Sequence, residues 1–495
     1  MASDLRPPSP SAATTAIPPV PGASTPISIE APERGPRRAG FDRSIVEGPL
    51  VQAVWKIAWP TVLQNAIGGL QGIVDHAMVG HYVGYTGNAA IGVSWQIFLV
   101  VIVFISSLFT GMGVLVSRFA GANDPDKVNR TVYQAFLTAL VLALGVLGPL
   151  GYFLSPTLLD IVNATPAVRA EALPFLRLMF TGSIGLLMFF MLGGALRAAG
   201  DARTPLRLGV AMTVLNFCLN VVFIRGAGSI PAFGTRGAAM GTVIASITVS
   251  AVAIWLLFAG KLVVQFPRSM PLRPDFGIIR SLFRFGLPAG IQGVTMNVAG
   301  VMLLRFIGSL EYSAQAQAAY AVGYAELFSL ITWTSVGLMG AAAAVAGQNL
   351  GAGKPERSAR AVHVTARIGL AVAGTIGTLF LLIPEQLLAI FGLKDPIVVE
   401  LGRELLRYLS VSGLFITVAL TYTGGLQGTG DTRSPLYITL VSQVALPLGI
   451  CFVLEQAGTL QASGVWTAIL IGHATRCLLS VARFQQGKWR FIRVD

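Results

Sequence analysis

Twelve long apolar segments constrain the fold of this chain more than any other feature. Each is about 19 to 29 residues long, and about 20 apolar residues let a helix cross the hydrocarbon core of a bilayer. Only 12% of the residues are charged, against about 25% in soluble domains. The sequence therefore predicts an all-α integral membrane protein with twelve transmembrane helices. The segments cover residues 54–79, 93–117, 131–153, 174–196, 205–224, 237–260, 286–307, 318–346, 362–384, 404–427, 436–454 and 464–482.

The basic residues alternate from one connection to the next. Of the 35 Lys and Arg, 25 lie in the two terminal stretches and in every second connection, and eight lie in or beside the intervening connections. The remaining two, Arg367 and Arg476, lie within apolar segments. Because basic residues are retained on the cytoplasmic side of a membrane, both termini are expected in the cytoplasm. The net charge of +13 then reflects these loops and does not require nucleic acid as a partner.

Two sequence motifs recur at one offset of 230 residues. Residues 194–206 (GALRAAGDARTPL) align with 424–436 (GGLQGTGDTRSPL), and residues 121–127 (GANDPDK) align with 351–357 (GAGKPER). Because six is an even number of crossings, both copies of a six-segment repeat begin on the same side of the membrane. The repeat therefore predicts two lobes related by a pseudo-twofold axis along the membrane normal. Such lobes supply the central site and the rocking motion of a secondary transporter.

The repeat and the composition together predict the domain boundaries. Residues 1–48 are rich in Pro, Ser and Ala and are expected to form a disordered cytoplasmic tail. We expect an N-lobe over 49–260, a cytoplasmic linker over 261–285, a C-lobe over 286–484 and a cytoplasmic tail over 485–495.

Two of these motifs resemble signatures of a known transporter family. Residues 337–357 (GLMGAAAAVAGQNLGAGKPER) resemble the eighth-helix signature of the multidrug and toxic compound extrusion (MATE) family, and residues 200–205 (GDARTP) resemble its motif after the fourth helix. The resemblance covers about residues 50–485. It implies a twelve-helix antiporter of the inner (plasma) membrane that expels small organic compounds, often cationic, in exchange for protons or sodium ions. We expect a monomer in the lipid bilayer, no enzymatic activity and no cofactor besides the coupling ion.

Asp75 and Glu326 are the acidic residues that lie well within the apolar segments. A carboxylate at membrane depth costs about 2.5 to 3.5 kcal/mol on insertion scales, so each is a candidate functional group. Withdrawal from water favours the protonated form of a carboxyl group, which suits it to carry a proton. The alternatives are a hydrated, idle Asp75 near the end of the first helix, and a Glu326 paired with an arginine or with the backbone.

The resemblance suggests a cation-coupling site around Asp75. This residue, in the segment VDHAMVG, matches the first-helix aspartate that the family uses for coupling. Asn216 and Asn220 share one helical face, so their amides are expected to bond Asp75 in one protonation state. In the proton-coupled, DinF-like branch an aspartate is common at the position of Asn220. Thr242 matches a family position near this site, with simple packing as the open alternative.

A substrate cleft is expected beside the seventh and eighth helices. Glu326 is the candidate for attracting a cationic substrate or for a second proton site, and Met296 and Tyr324 are the candidates for an adaptable wall. The four histidines show no metal-ligand spacing, so no metal site is predicted.

Four other functions remain open from the sequence. A sodium-coupled exporter and a narrow metabolite exporter share the predicted fold. A flippase for lipid-linked precursors shares it too, but its cavity would be lined with arginines, and only Arg367 and Arg476 lie within the segments. A membrane-embedded enzyme would need a nucleophile constellation or paired acids, and the sequence contains neither pattern.

Overall fold

Twelve long helices make up most of the described chain. The computed structural model describes residues 41–162, 164–267, 270 and 273–494. Helix α4 is bent by 50° between its two parts, Pro166–Thr181 and Ser183–Ala198. The other helices are α1 Leu50–Tyr82, α2 Tyr85–Gly121, α3 Pro125–Ile161, α5 Arg203–Arg225, α6 Thr235–Phe258, α7 Phe276–Gly308, α8 Ser313–Gly351, α9 Pro355–Leu382, α10 Pro396–Gly428, α11 Arg433–Gln456 and α12 Ala462–Gln485.

Within the described ranges, ten of these helices are long and apolar enough to cross a membrane, and the bent α4 makes an eleventh. Helix α1 is the twelfth. Its 33 residues are also long enough, at about 1.5 Å per residue, but polar side chains such as Gln64, Asn65 and Asp75 interrupt its apolar sequence. The predicted all-α fold with twelve transmembrane helices is confirmed.

The helices extend beyond the apolar segments because their outer turns face water and need not be apolar. Helix α7 begins at Phe276, ten residues before the predicted start of the C-lobe at 286. Asp275 caps it by accepting hydrogen bonds from the Gly277 and Ile278 amides at 3.0 and 3.3 Å. The linker predicted over 261–285 therefore ends inside a helix.

The predicted tail 1–48 is also corrected at its end. Residues 1–40 lie outside the described residues, but Ser44–Glu47 form a short helix in which Ile45 is fully buried. The C-lobe side chain Arg357 donates hydrogen bonds to the Ile45 and Gly48 carbonyls at 3.3 and 2.5 Å. These partners lie more than 300 residues away in sequence, so local composition does not reveal them.

The two repeats adopt the same turns at equivalent positions. Gly200 and Gly430 have positive φ angles of 100° and 102°. Asp201 caps α5 through the Thr204 amide at 3.0 Å, and Asp431 caps α11 through the Ser434 amide at 3.2 Å. The recurring motifs are thus a duplicated helix-capping loop.

The lobes meet on the side of the membrane where α1 begins and α12 ends, which we call the terminal side. Helix α1 crosses α8 where the Gly337 position lies against Val62, and α2 crosses α7 where Gly286 lies against Ser107. An apolar cluster that includes Ile45 of the N-terminal segment joins both lobes here. Its buried members are Ile45, Val54, Ile57, Ala58, Ala202, Leu338, Ala341, Ala344, Val345 and Ala361.

Two glycines allow the closest approach between the lobes. A Cβ atom on Gly121, at the end of α2, would lie 1.9 Å from the Gln348 carbonyl oxygen, and one on Gly351, at the end of α8, would lie 2.0 Å from the Arg118 carbonyl oxygen. Because these pairs are related by the offset of 230, the contact occurs twice about the pseudo-twofold axis. The terminal side of the interface is therefore closed.

We predict that Gly121→Ala destabilises this closed contact by about 1 to 3 kcal/mol, because a methyl group would overlap backbone atoms that cannot rotate away. Thermal unfolding of the purified protein in detergent measures the effect. Gly113→Ala in the same helix is the control, since a Cβ atom there would have nothing within 4 Å. Equal midpoints for the two variants would contradict the tight contact.

Candidate functional site

The structure brings Asp75 of α1 against α5 inside the N-lobe. Asn220 Nδ2 donates a hydrogen bond to Asp75 Oδ1 at 2.7 Å. Asn220 is fully buried, whereas Asp75 is partly exposed. In the described part of the chain no basic side chain forms an ion pair with this carboxylate. The acid therefore has an amide, and not a cation, as its close partner.

Asn216 and Thr242 extend this contact to α6. Asn220 Nδ2 lies 3.2 Å from Asn216 Oδ1, and Asn216 Nδ2 donates to Thr242 Oγ1 at 3.1 Å. When the Asn216 amide is turned by 180°, its nitrogen lies 3.2 Å from Asp75 Oδ1 and its oxygen accepts from Thr242 Oγ1 at 3.1 Å. In this orientation the amide nitrogens of both asparagines lie within hydrogen-bond distance of Asp75 Oδ1. All four residues predicted for cation coupling lie in one cluster.

Small residues of α6 make this cluster possible. A Cβ atom on Gly241 would lie 2.1 Å from Asn220 Oδ1, and one on Gly237 would lie 2.4 Å from the Phe223 carbonyl oxygen. The glycines therefore let α5 and α6 approach closely enough to bury both asparagines. Asn220 Oδ1 itself is buried without a hydrogen-bond partner.

His76 faces a different neighbour from Asp75. Its Nδ1 atom hydrogen-bonds Asn88 Oδ1 on α2. Successive side chains on a helix point about 100° apart, which explains why two adjacent polar residues join different helices. His76 is thus outside the Asp75 cluster.

A second polar region lies inside the C-lobe. A cavity of about 270 Å³ is bounded by α7, α8, α11 and α12, and its lining includes Met296, Tyr320, Tyr324, Gln443 and His473. The structure therefore brings together Met296 and Tyr324, the two residues predicted for a substrate wall, although it places them within the C-lobe bundle. Glu326 is not among the lining residues and is exposed, in a π-helical turn at Ala321–Leu327.

Comparison with known proteins identifies the family of this two-lobed fold. The MatE family model matches residues 60–222 and 288–453, once in each lobe. The chain belongs to the MatE family. Its similarity to named multidrug resistance proteins extends over most of the length of both chains.

Two curated MATE relatives illustrate the extent of this similarity. The probable multidrug resistance protein NorM of Thermotoga maritima is 27% identical over 440 residues, which are 88% of this chain and 92% of that protein. The multidrug resistance protein MdtK of Pectobacterium atrosepticum is 25% identical over 442 residues, which are 87% and 94% of the two chains.

Solved MATE-type structures share the fold. A MOP superfamily transporter from Pyrococcus furiosus aligns with a TM-score of 0.83 at 20% identity, over 91% of this chain and 98% of that chain. An outward-facing multidrug resistance MATE transporter aligns with the same TM-score, identity and coverage. These similarities support the arrangement of twelve helices in two lobes.

Sequence reasoning missed two polar side chains of this MATE protein's C-lobe: His473, which lines the cavity, and Arg476, which interacts electrostatically with the lining residue Tyr324. His473 and Arg476 of α12 are only 3% and 4% exposed. The signal was present, because Arg476 is one of two basic residues within the predicted segments and His473 precedes it by three residues. Their proximity to Tyr324 depends on the packing of α12 against α8, which spacing alone does not predict.

We predict that Thr242→Val destabilises the protein by about 1 to 3 kcal/mol, because it removes the hydroxyl that pairs with the buried Asn216 amide without changing side-chain volume much. Thr242→Ser keeps the hydroxyl and is the matched control. Thermal unfolding in detergent distinguishes the two variants. If valine and serine at this position behave alike, Thr242 has only a packing role.

Proposed function

We propose that this chain is a secondary active efflux transporter that exchanges small organic compounds, often cationic, for protons. Family membership supports the transporter class, and the names of the curated relatives, which are multidrug resistance proteins, support the efflux of such compounds. The observation that carries proton coupling is the 2.7 Å hydrogen bond between Asn220 and Asp75 inside the N-lobe.

An asparagine amide beside a carboxyl group responds to the proton on that group. An ionised carboxylate only accepts hydrogen bonds, whereas a protonated one also donates, and an amide offers a donor on one side and an acceptor on the other. In the observed pattern Asn220 donates to Asp75 and its own oxygen has no partner. Proton uptake by Asp75 favours a pattern in which an amide oxygen accepts from the acid. The bonds that join α1 to α5 then change.

Helix α1 connects this chemistry to the interface between the lobes. Asp75 lies in its second half, and its first half contacts α8, where a Cβ atom on Gly337 would lie 2.8 Å from a Val62 methyl group. Pro60 lies between the terminus and Asp75, and its missing N–H removes one backbone hydrogen bond from the helix. We infer that rearrangement at Asp75 alters the fit of α1 against the C-lobe and so biases which side of the cleft is open.

The composition of the cluster favours a proton over a sodium ion. The cluster contains the Asp75 carboxylate, two neutral amides and the Thr242 hydroxyl. A cation bound here would therefore meet one negatively charged group of the cluster. A metal cation that has lost its bound water is usually held by several protein oxygen atoms, and these usually include more than one carboxylate. Asn220 stands where the DinF-like branch has its second acid, and we assign the chain to that branch as a variant with a single titrating group.

The remaining features of the proposal follow from sequence. The chain is placed in the inner (plasma) membrane as a multi-pass monomer with both termini in the cytoplasm, because the terminal side carries most basic residues. No cofactor is required besides the coupling ion. With this orientation the observed state is closed toward the cytoplasm.

We predict that Asp75→Asn stops proton-driven efflux of a cationic dye. The substitution keeps the size of the side chain and an acceptor for Asn220 but cannot bind and release a proton near neutral pH. Everted vesicles with an imposed pH gradient and a fluorescent cationic dye measure transport, and a pH-sensitive probe measures proton movement. We expect loss of at least about 90% of the transport rate, as for removal of an essential proton carrier.

Two controls separate coupling from folding. Glu311→Gln changes an exposed acid in the connection between α7 and α8 and is expected to leave transport intact. The thermal unfolding midpoint shows whether Asp75→Asn is folded. Dye transport that requires sodium and ignores the pH gradient would reject proton coupling. Absence of dye transport in the unmodified protein would favour the flippase or a narrow metabolite exporter.

A further inference from the structure

The C-lobe holds a buried positive charge without a carboxylate partner. Arg476 is 4% exposed, and its Nε atom has no hydrogen-bond partner. Among the described residues its electrostatic neighbours are the Tyr324 hydroxyl and the His473 imidazole, and neither group carries a negative charge. An uncompensated buried charge is costly, so proteins usually pair it or use it. This cost needs an explanation that the proposed cation coupling in the N-lobe does not provide.

The neighbouring cavity, which Arg476 adjoins without lining it, presents neutral polar groups that can each donate a hydrogen bond. Tyr320 and Tyr324 line it with phenol groups, Gln443 with an amide and His473 with an imidazole. His473 is 3% exposed and its Nδ1 atom has no partner. The lining residues include no acid. Groups that can donate hydrogen bonds, beside a buried cation and with no acid among the lining residues, suit an anion better than a cation.

The wall of the cavity is built from stacked rings. Tyr320 and Tyr324 are stacked with centroids 4.9 Å apart and an angle of 8°, and Tyr320 also stacks on Trp466. Phe328 stacks on the His473 ring at 5.7 Å. Because Tyr324 and Trp466 stack on Tyr320, an added aromatic ring can meet Tyr320 edge to face, which is a favoured arrangement of aromatic pairs. The volume of about 270 Å³ lies near the lower end for ligand sites, which limits the occupant to a small molecule.

We propose that this cavity binds a small aromatic carboxylate, whose negative group faces Arg476 and His473 and whose ring lies against Tyr320 and Tyr324. The site goes beyond the proposed exchange of cations for protons, because it recognises a negative group in the opposite lobe. Compounds that carry both charges are then candidates to use both lobes. The proposal concerns equilibrium binding and does not depend on which ion drives transport.

The test is ligand binding to the purified full-length protein in detergent, with no ion gradient. Benzoate is the probe, and benzamide and benzylammonium are its neutral and cationic counterparts. A ligand that binds the folded state raises the unfolding midpoint, and isothermal titration gives the affinity. We expect benzoate to bind and to raise the midpoint, and each counterpart to bind at least about tenfold more weakly, since neither can form the charge-assisted hydrogen bond.

Two arginine variants locate the binding. Arg476→Gln is expected to weaken benzoate binding by about ten- to a hundredfold. Arg367→Gln removes the other basic residue within the predicted segments, which is exposed on α9, and is expected to bind benzoate normally. Tyr324→Phe keeps the stacked ring and removes only the hydroxyl, so it is expected to weaken binding severalfold even if Arg476→Gln fails to fold.

Several results would overturn the proposal. Equal binding of benzoate and benzamide would show that charge has no role. Unchanged benzoate binding in both Arg476→Gln and Tyr324→Phe would place the ligand elsewhere. Stabilisation by chloride alone, with no added effect of benzoate, would leave a simple anion site without recognition of an aromatic ring.

Discussion

The close backbone contact between α2 and α8 on the terminal side is the constraint on which the arrangement of the lobes depends. Gly121 lies against Gln348 and Gly351 lies against Arg118, and these are the same contact repeated about the pseudo-twofold axis. A self-complementary contact of this kind closes or separates as a unit, because one half cannot move away without the other. Gln348 reinforces it by donating to the Ala198 carbonyl at 2.7 Å. The two lobes are therefore joined on this side by one contact that occurs twice.

The two lobes share a fold but differ in their chemistry. At the offset of 230, the position of Asp75 is occupied by Arg305, and those of Asn216 and Asn220 are occupied by Leu446 and Ile450. Conversely, the position of Arg476 in the C-lobe corresponds to Ser246 in the N-lobe. Packing positions such as the glycines of the interface are duplicated, because both copies need the same close approach. The charged positions Asp75 and Arg476 within the apolar segments are not, because a charge inside the membrane is retained only where it has a use.

The sequence predicts those features that depend on local patterns. Apolar length predicts the helices, the offset predicts the lobes, and the four-residue spacing of Asn216 and Asn220 places both amides on the face that meets Asp75. Other features depend on distant residues. The helix at Ser44–Glu47 is held by Arg357, and the grouping of Arg476 with Tyr324 arises only when α12 packs against α8. Glu326 lies within an apolar segment in sequence but is exposed in the structure, in a π-helical turn at Ala321–Leu327 that the apolar pattern does not predict.

The strength of the terminal-side contact limits what a single proton does in the proposed cycle. Moving one elementary charge across 100 mV provides about 2.3 kcal/mol, whereas each hydrogen bond that ties the lobes contributes about 0.5 to 1.5 kcal/mol. Opening this side breaks several such bonds, including those of Arg357 and Gln348, and exposes the apolar cluster around Ile45. One proton is therefore too weak to open the interface without compensation. The hydrogen bonds and packing broken on the terminal side must be matched by interactions that form on the other side, so that two nearly balanced states exist and a change at Asp75 shifts their populations.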